Sequence, residues 1–328
     1  MSRRILSVLS LSLLVSMGAQ ARPEAPSMRL QLDDYDIQLA DYCFPSGLRV
    51  IFQEDHSQPI VSITSVIDRG SSDDPEGLEG IAHLVEHMWF KSLHGELPKV
   101  WDVLDEMGAA LNASTATDWT NYMTVAPIDA MIPLLRLEAL RLTDTVAGVT
   151  DDDLLSEREV VRNELRMRYE NGTGDALYFI RDKLYPEGHP YNRLGIGTHD
   201  SLNNITMADV RDFTDNNYTG ENTTIVVVGD FSNDDSWQFI AESFPPELLV
   251  DPENPDPEEL ELVECPLRVT GAGDPPPEPR KGCRRWPLSN PFPLLPGVPP
   301  MYQRLLILQP PVSSGYPGGA ALWSRNPQ

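Results

Sequence analysis

Basic residues are scarce in this chain. Its 328 residues carry 25 Lys and Arg against 50 Asp and Glu, a formal charge of −25. That excludes sequence-independent binding to nucleic acid, which needs clustered cations. The acidity accounts for solubility and leaves attraction of basic peptides open. Cysteine is scarce too, with Cys43, Cys265 and Cys283 alone. An odd count at wide spacing predicts no disulfide framework, and no two cysteines have a metal-type spacing. Long apolar runs are also lacking. The run from Ile5 to Val15 is too short to cross a bilayer, so no stable membrane insertion is expected.

That short run belongs to an expected export signal over residues 1–21. Arg3 and Arg4 precede it, and Ala19-Gln20-Ala21 offers small residues where a signal peptidase cuts. Export to a bacterial periplasm, or beyond the cell, follows as the expected localisation. Residues 22–39 read as an N-terminal extension.

Strand and helix signals then alternate without a regular repeat. "LRVIFQED" and "PIVSITSVIDRG" have Val, Ile and Thr at period two, which predicts a pair of strands. "GIAHLVEHMWFKSL" is apolar all round and reads as a buried helix. "KVWDVLDEMGA" and "DAMIPLLRLEALRLTD" read as further helices, and "LNASTATDWTNYMTVAP" returns to strand character. In "TDDDLLSEREVVRNELRMRYEN", Thr150 can cap the helix with Asp153 three residues on. "TMADVRDFTDNNY" and "DSWQFIAESF" are shorter helices around a buried strand, "NTTIVVVGD". The order predicts an α+β fold, a mainly antiparallel sheet covered by helices on one side, over residues 40–248. Residues 249–328 hold 18 of the 30 prolines and neither period, and read as a linker and an irregular tail.

The chemistry sits in "HLVEHMWF", residues 83–90. His83 and His87 are one helical turn apart on one face. Two imidazoles so placed can hold Zn²⁺, and Glu86 lies beside them to act as a base. Burying two His and a Glu without a partner would cost several kcal/mol, and coordination supplies that partner. A third ligand is needed. "SEREVVRNELRMRYEN" offers Glu157 and Glu164, seven residues apart on one helix face, and spacing alone does not choose between them.

The motif His83-x-x-Glu86-His87 resembles the inverted zinc motif of the pitrilysin-like metallopeptidases, the family of insulin-degrading enzyme and mitochondrial processing peptidase. The resemblance extends over roughly residues 40–245. It takes in the hairpin, loop and helix up to "HLVEHMWFKS", the strand "LNASTATDWTNY", the helix "EREVVRNELRM" and the stretch from "HPYNRLGIGTHD" to "NTTIVVVGDF". It implies one Zn²⁺ per chain on His83, His87 and Glu164, with Glu86 as the base and Glu157 supporting the site from beside the ligands. Asn112 and Ala113 are similar to family residues on an edge strand that pairs with an extended peptide substrate.

The resemblance fades after about residue 262, and no counterpart is found for the Arg and Tyr that the family's second half supplies. The expectation is a truncated or frame-shifted tail, with a second family subunit as a candidate partner. The implied function is that of an exported zinc endopeptidase, or its zinc-bearing subunit. The alternative is a zinc-bound but inactive partner subunit or peptide-binding scaffold.

Overall fold

The computed structural model describes residues 27–32, 35–169, 173–251 and 262–263. The expected signal segment and the stretch 264–328 lie outside the described residues. Seven strands form one sheet: β1 (Ser27–Leu32), β2 (Tyr35–Cys43), β3 (Arg49–Glu54), β4 (Ile60–Ile67), β5 (Ala110–Thr115), β6 (Thr120–Pro127) and β7 (Thr223–Gly229). Their spatial order is β1-β2-β3-β7-β4-β6-β5, with β3 and β7 parallel and every other pair antiparallel. The helices are α1 (Ile81–Trp89), α2 (Val100–Glu106), α3 (Met131–Thr143), α4 (Asp151–Arg168), α5 (Thr173–Leu184), α6 (His199–Asn204), α7 (Met207–Asn217) and α8 (Ser236–Ser243). The fold is thus the expected mixed one, with a mostly antiparallel sheet.

Period two is visible in the burial of the central strands. Val61, Ile63, Ser65 and Ile67 of β4 are buried and their neighbours only partly so. Ile225 and Val227 of β7 are fully buried. Each fully buried aliphatic side chain of this size contributes about 1.5–3 kcal/mol. Trp89, Tyr42, Tyr122, Phe44 and Phe52 are the largest side chains of the core.

Two expectations need correction. β3 and β4 do not pair; β7 lies between them, bonded to both. A Val- and Ile-rich strand gains ladder partners on both edges in that slot, which no local hairpin would give it. Cys43 is disulfide-bonded, although no bridge was expected. Cys265 and Cys283 both lie outside the described residues. Val263 donates its N–H to the Cys43 carbonyl at 3.1 Å, so chain beyond the sheet returns to β2. β1 and the start of β2 also fall where the sequence read as an extension.

Two local devices position the site. Gly80, at φ 97°, turns the chain into α1, and the Asp74 carboxylate accepts from the N–H of Gly80 at 2.7 Å and of Ala82 at 3.0 Å. These are free donors of a helix start, so the Asp74 oxygens satisfy them, while burial pushes the carboxyl itself up to about 8. α4 opens with the expected reciprocal Thr150–Asp153 cap, and Lys99 pairs with Asp153 at 2.6 Å. Under α1, Arg141 is 3% exposed, ion-paired to Glu138, and lies over the rings of Tyr122 at 3.9 Å and Trp89 at 4.6 Å.

Candidate metal centre

α1 is buried at every residue except His83, which is partly exposed. It packs against α4 and β5. The histidine rings lie edge to face, with centroids 4.9 Å apart. From α4, Glu164 turns Oε2 toward both, 3.6 Å from His83 Nε2 and 3.7 Å from His87 Nε2. Those separations are too long for hydrogen bonds. Tetrahedral zinc with ligands at about 2.0–2.1 Å sets its donors about 3.3 Å apart. One donor atom from each of the three residues lies within 4.8 Å of the others, so the three could hold one ion. His83 Nδ1 is buried with no hydrogen-bond partner. Among the described residues, neither nitrogen of this ring has a partner at hydrogen-bonding distance, and an ion on Nε2 would supply one. Two imidazole nitrogens and one carboxylate oxygen suit Zn²⁺.

The protonation states favour ligation. Burial, then the neighbouring His87 and Arg168, hold His83 well below the usual imidazole range, so its lone pair is free. Burial pushes the Glu157 carboxyl up, but hydrogen bonds from His87 and Lys91 outweigh it and hold it down. His87 Nδ1–H donates to Glu157 Oε2 at 3.2 Å, and Lys91 Nζ pairs with Glu157 Oε1 at 2.9 Å. The sequence left Glu157 and Glu164 equivalent by spacing; here they take opposite edges of the His87 ring.

Glu86 is not among the three converging residues. It is 8% exposed, and burial raises its carboxyl in spite of a 2.5 Å hydrogen bond from Thr115 Oγ1 to Oε2. Thr115 ends β5, the strand that carries Asn112 and Ala113. Among the described residues, β5 pairs with β6 alone and is an edge of the sheet. Asn112 Oδ1 accepts from the Ala113 N–H at 3.0 Å. The structure therefore places His83, Glu86, His87, Glu157 and Glu164 together, with Asn112 and Ala113 on the strand that reaches Glu86.

Sequence reasoning missed Lys91, Thr115 and Asp74. Lys91 follows His87 by four residues, just past the end of α1 but inside the stretch that reads as helix, and that spacing is a readable signal. Thr115 shares a strand face with Ala113. Asp74 offers only its place in a polar loop ahead of Gly80.

Two family models match this chain in succession. The one described as Insulinase (Peptidase family M16) matches residues 49–193, and the one described as Peptidase M16 inactive domain matches residues 204–276. The chain belongs to peptidase family M16. Among particular relatives, the zinc protease PqqE of Helicobacter pylori is 31% identical over 255 residues, 74% of this chain and 52% of that protein. Mitochondrial-processing peptidase subunit beta of Homo sapiens is 27% identical over 200 residues, 59% of this chain and 39% of that protein. The crystal structure of a protease from Helicobacter pylori superposes with a TM-score of 0.58 at 26% identity, over 66% of this chain and 52% of that one. The chain thus spans about half the length of PqqE and less of the processing-peptidase subunit.

Proposed function

We propose that this chain is the zinc-bearing part of an exported endopeptidase that hydrolyses unstructured peptides. The observation that carries this reading is the convergence of His83, His87 and Glu164 beside a separate buried carboxylate, Glu86. His83, His87 and Glu164 would hold the ion. Zinc at such a site polarises a carbonyl and makes a neighbouring water acidic near neutral pH. Glu86 takes a proton from the attacking water and returns one to the leaving amine. Thr115 fixes its carboxylate, and burial raises its proton affinity, as a group in that double role needs. Glu157 and Lys91 hold the His87 ring in place. An extended peptide can add to the free edge of β5 along Asn112 and Ala113, bonding by backbone rather than by side chain.

Residues 40–248 form the peptidase domain in this reading, ahead of a proline-rich linker and tail. The N-terminal run after Arg3 and Arg4 supports export to a periplasm. Among the described residues, no helix is long and apolar enough to cross a membrane. A second family subunit is a candidate partner.

A second reading, a zinc-bound scaffold without activity, draws support from the match of residues 204–276 to the model described as Peptidase M16 inactive domain. Glu86→Gln separates the two. With the peptidase reading, bound zinc stays stoichiometric and cleavage of a quenched-fluorescent peptide collapses. Should the unsubstituted, zinc-loaded chain cut nothing even with a family partner added, the scaffold reading stands instead.

A further inference from the structure

His83 also lines a cavity of about 110 Å³, roomy enough for several waters or a carboxylate-bearing side chain. Arg168 and Arg181 flank it, with Thr117, Tyr169 and Ser71, and no carboxylate is among its lining residues. Two cations and no acid is a marked concentration in a chain with two acids for every base. Arg168 Nη2 lies 2.8 Å from Glu164 Oε1, on the side away from the histidines. It is engaged, but its charge still reaches His83 and Glu86. Arg181 is half-buried and donates from Nη2 to Thr117 Oγ1 at 3.3 Å. It has no ion pair with any carboxylate among the described residues. A guanidinium carries five donors in a fixed fork, so one bond to a hydroxyl leaves most of them unused.

We propose that this cavity is a specificity subsite for an acidic side chain, Asp or Glu, close to the scissile bond, with Arg181 as the selecting donor and Arg168 adding to the positive field. The proposal rests on the peptidase reading, and it deepens it by naming a substrate class. The geometry matches the need: the cavity shares His83 with the metal donors, so a side chain seated in it belongs to a residue near the reacting carbonyl. Thr115 at the end of β5 and the adjoining Ala116 also line it, so the cavity adjoins the edge that reads backbone and adds side-chain selection beside it. The overall acidity of the chain leaves attraction of basic peptides open, whereas this cavity selects the other way at short range, since salt screens the more distant charges.

The test is a binding measurement that does not need turnover. The full chain with Glu86→Gln, loaded with zinc, is titrated into fluorescein-labelled peptides blocked at both ends. One Glu is moved along the peptide residue by residue, and each peptide has a Gln counterpart. At one position Glu should bind about tenfold tighter than Gln, about 1.4 kcal/mol. Adding Arg181→Ala should bring the ratio toward one, Arg181→Lys should restore part of it, and added salt should shrink it. Bound zinc and circular dichroism confirm that these variants fold. Equal binding of Glu and Gln at every position, a preference that survives Arg181→Ala, or no binding of any peptide overturns the proposal. Cleavage of the same peptides by the unsubstituted, zinc-loaded chain with a family partner added is scored separately. Selective binding without cleavage removes the peptidase reading and keeps the subsite.

Discussion

Glu157→Gln removes one negative charge and keeps the side chain's shape. Glu157 is 1% exposed, with Oε2 at 3.2 Å from His87 Nδ1 and Oε1 at 2.9 Å from Lys91 Nζ. Its two partners hold the carboxyl below the usual range, so it is ionised at neutral pH. An anion facing Nδ1 keeps the proton on that nitrogen and leaves the Nε2 lone pair directed at His83 and Glu164. A glutamine carbonyl still accepts from Nδ1–H, but a neutral bond is about half as strong as a charged one. Taking about 1.5–3 kcal/mol for the charged bond, the loss is about 0.75–1.5 kcal/mol. That is about four- to twelvefold in zinc affinity. Glu157→Ala strands a buried N–H entirely, and the loss should approach about 100-fold. Lys91, with its side chain 34% exposed, turns to water in either variant. Competition against a chromophoric zinc chelator reads both numbers, and the thermal midpoint of the metal-free protein controls for folding. Zinc affinity unchanged in both variants would refute the role assigned to Glu157.

Three further outcomes are expected. Asp74→Ala frees two N–H groups at the start of α1 and should lower stability by about 1–2 kcal/mol, read as a shift in the urea midpoint; a midpoint within error of the parent removes Asp74 as the cap. Arg141→Met leaves Glu138 buried with Ser65 as its remaining partner and should destabilise by about 3–5 kcal/mol, while Arg141→Met with Glu138→Gln recovers much of it; equal losses in the single and double variants contradict the pairing. Burial works to raise Asp153, but Lys99 and Thr150 prevail and lower it from 3.8 to about 2. A lowered acid stabilises the fold above its unfolded value and loses that as pH falls through the folded one. Asp153→Asn should therefore be destabilising near pH 7 and nearly neutral at pH 2, and urea midpoints that differ equally at both pH values would rule this out.

Several elements were readable because their causes are local. α4 announces itself through Thr150 and Asp153, which form the expected cap. α1 reads as buried because apolar residues surround its polar ones, and its core contacts follow. The insertion of β7 between β3 and β4 was not readable, because β7 lies more than 150 residues further along the chain and its local pattern names no partner. β1 and the start of β2 looked like an extension, since Asp and Gln break up their apolar residues. The Cys43 bridge escaped the cysteine arithmetic because that arithmetic counts spacings and knows nothing of which segments return to β2. Arg181 lies in a stretch where the sequence offers no motif, and acquires meaning only from the cavity it reaches.

The two glutamates of α4 show how far spacing can carry an inference. Seven residues place Glu157 and Glu164 about 10.5 Å apart along one helix face, while His83 and His87 are about 6 Å apart along α1. An identical face makes the two look interchangeable, and from α4 alone they are. The asymmetry comes from the imidazole, whose two nitrogens lie on opposite sides of the ring and want different things: one a proton and an acceptor for it, the other a bare lone pair. Glu157 stands at Nδ1 of His87 and Glu164 on the Nε2 side, within reach of His83 as well. Lys91 and Arg168 then separate them further. Lys91 engages Glu157 on the oxygen not used for His87, and Arg168 engages the Glu164 oxygen turned from the histidines. Each carboxylate thus has one oxygen for the site and one for a cation that steadies it, and the crossing of α1 over α4 decides which of them can reach both histidines at once.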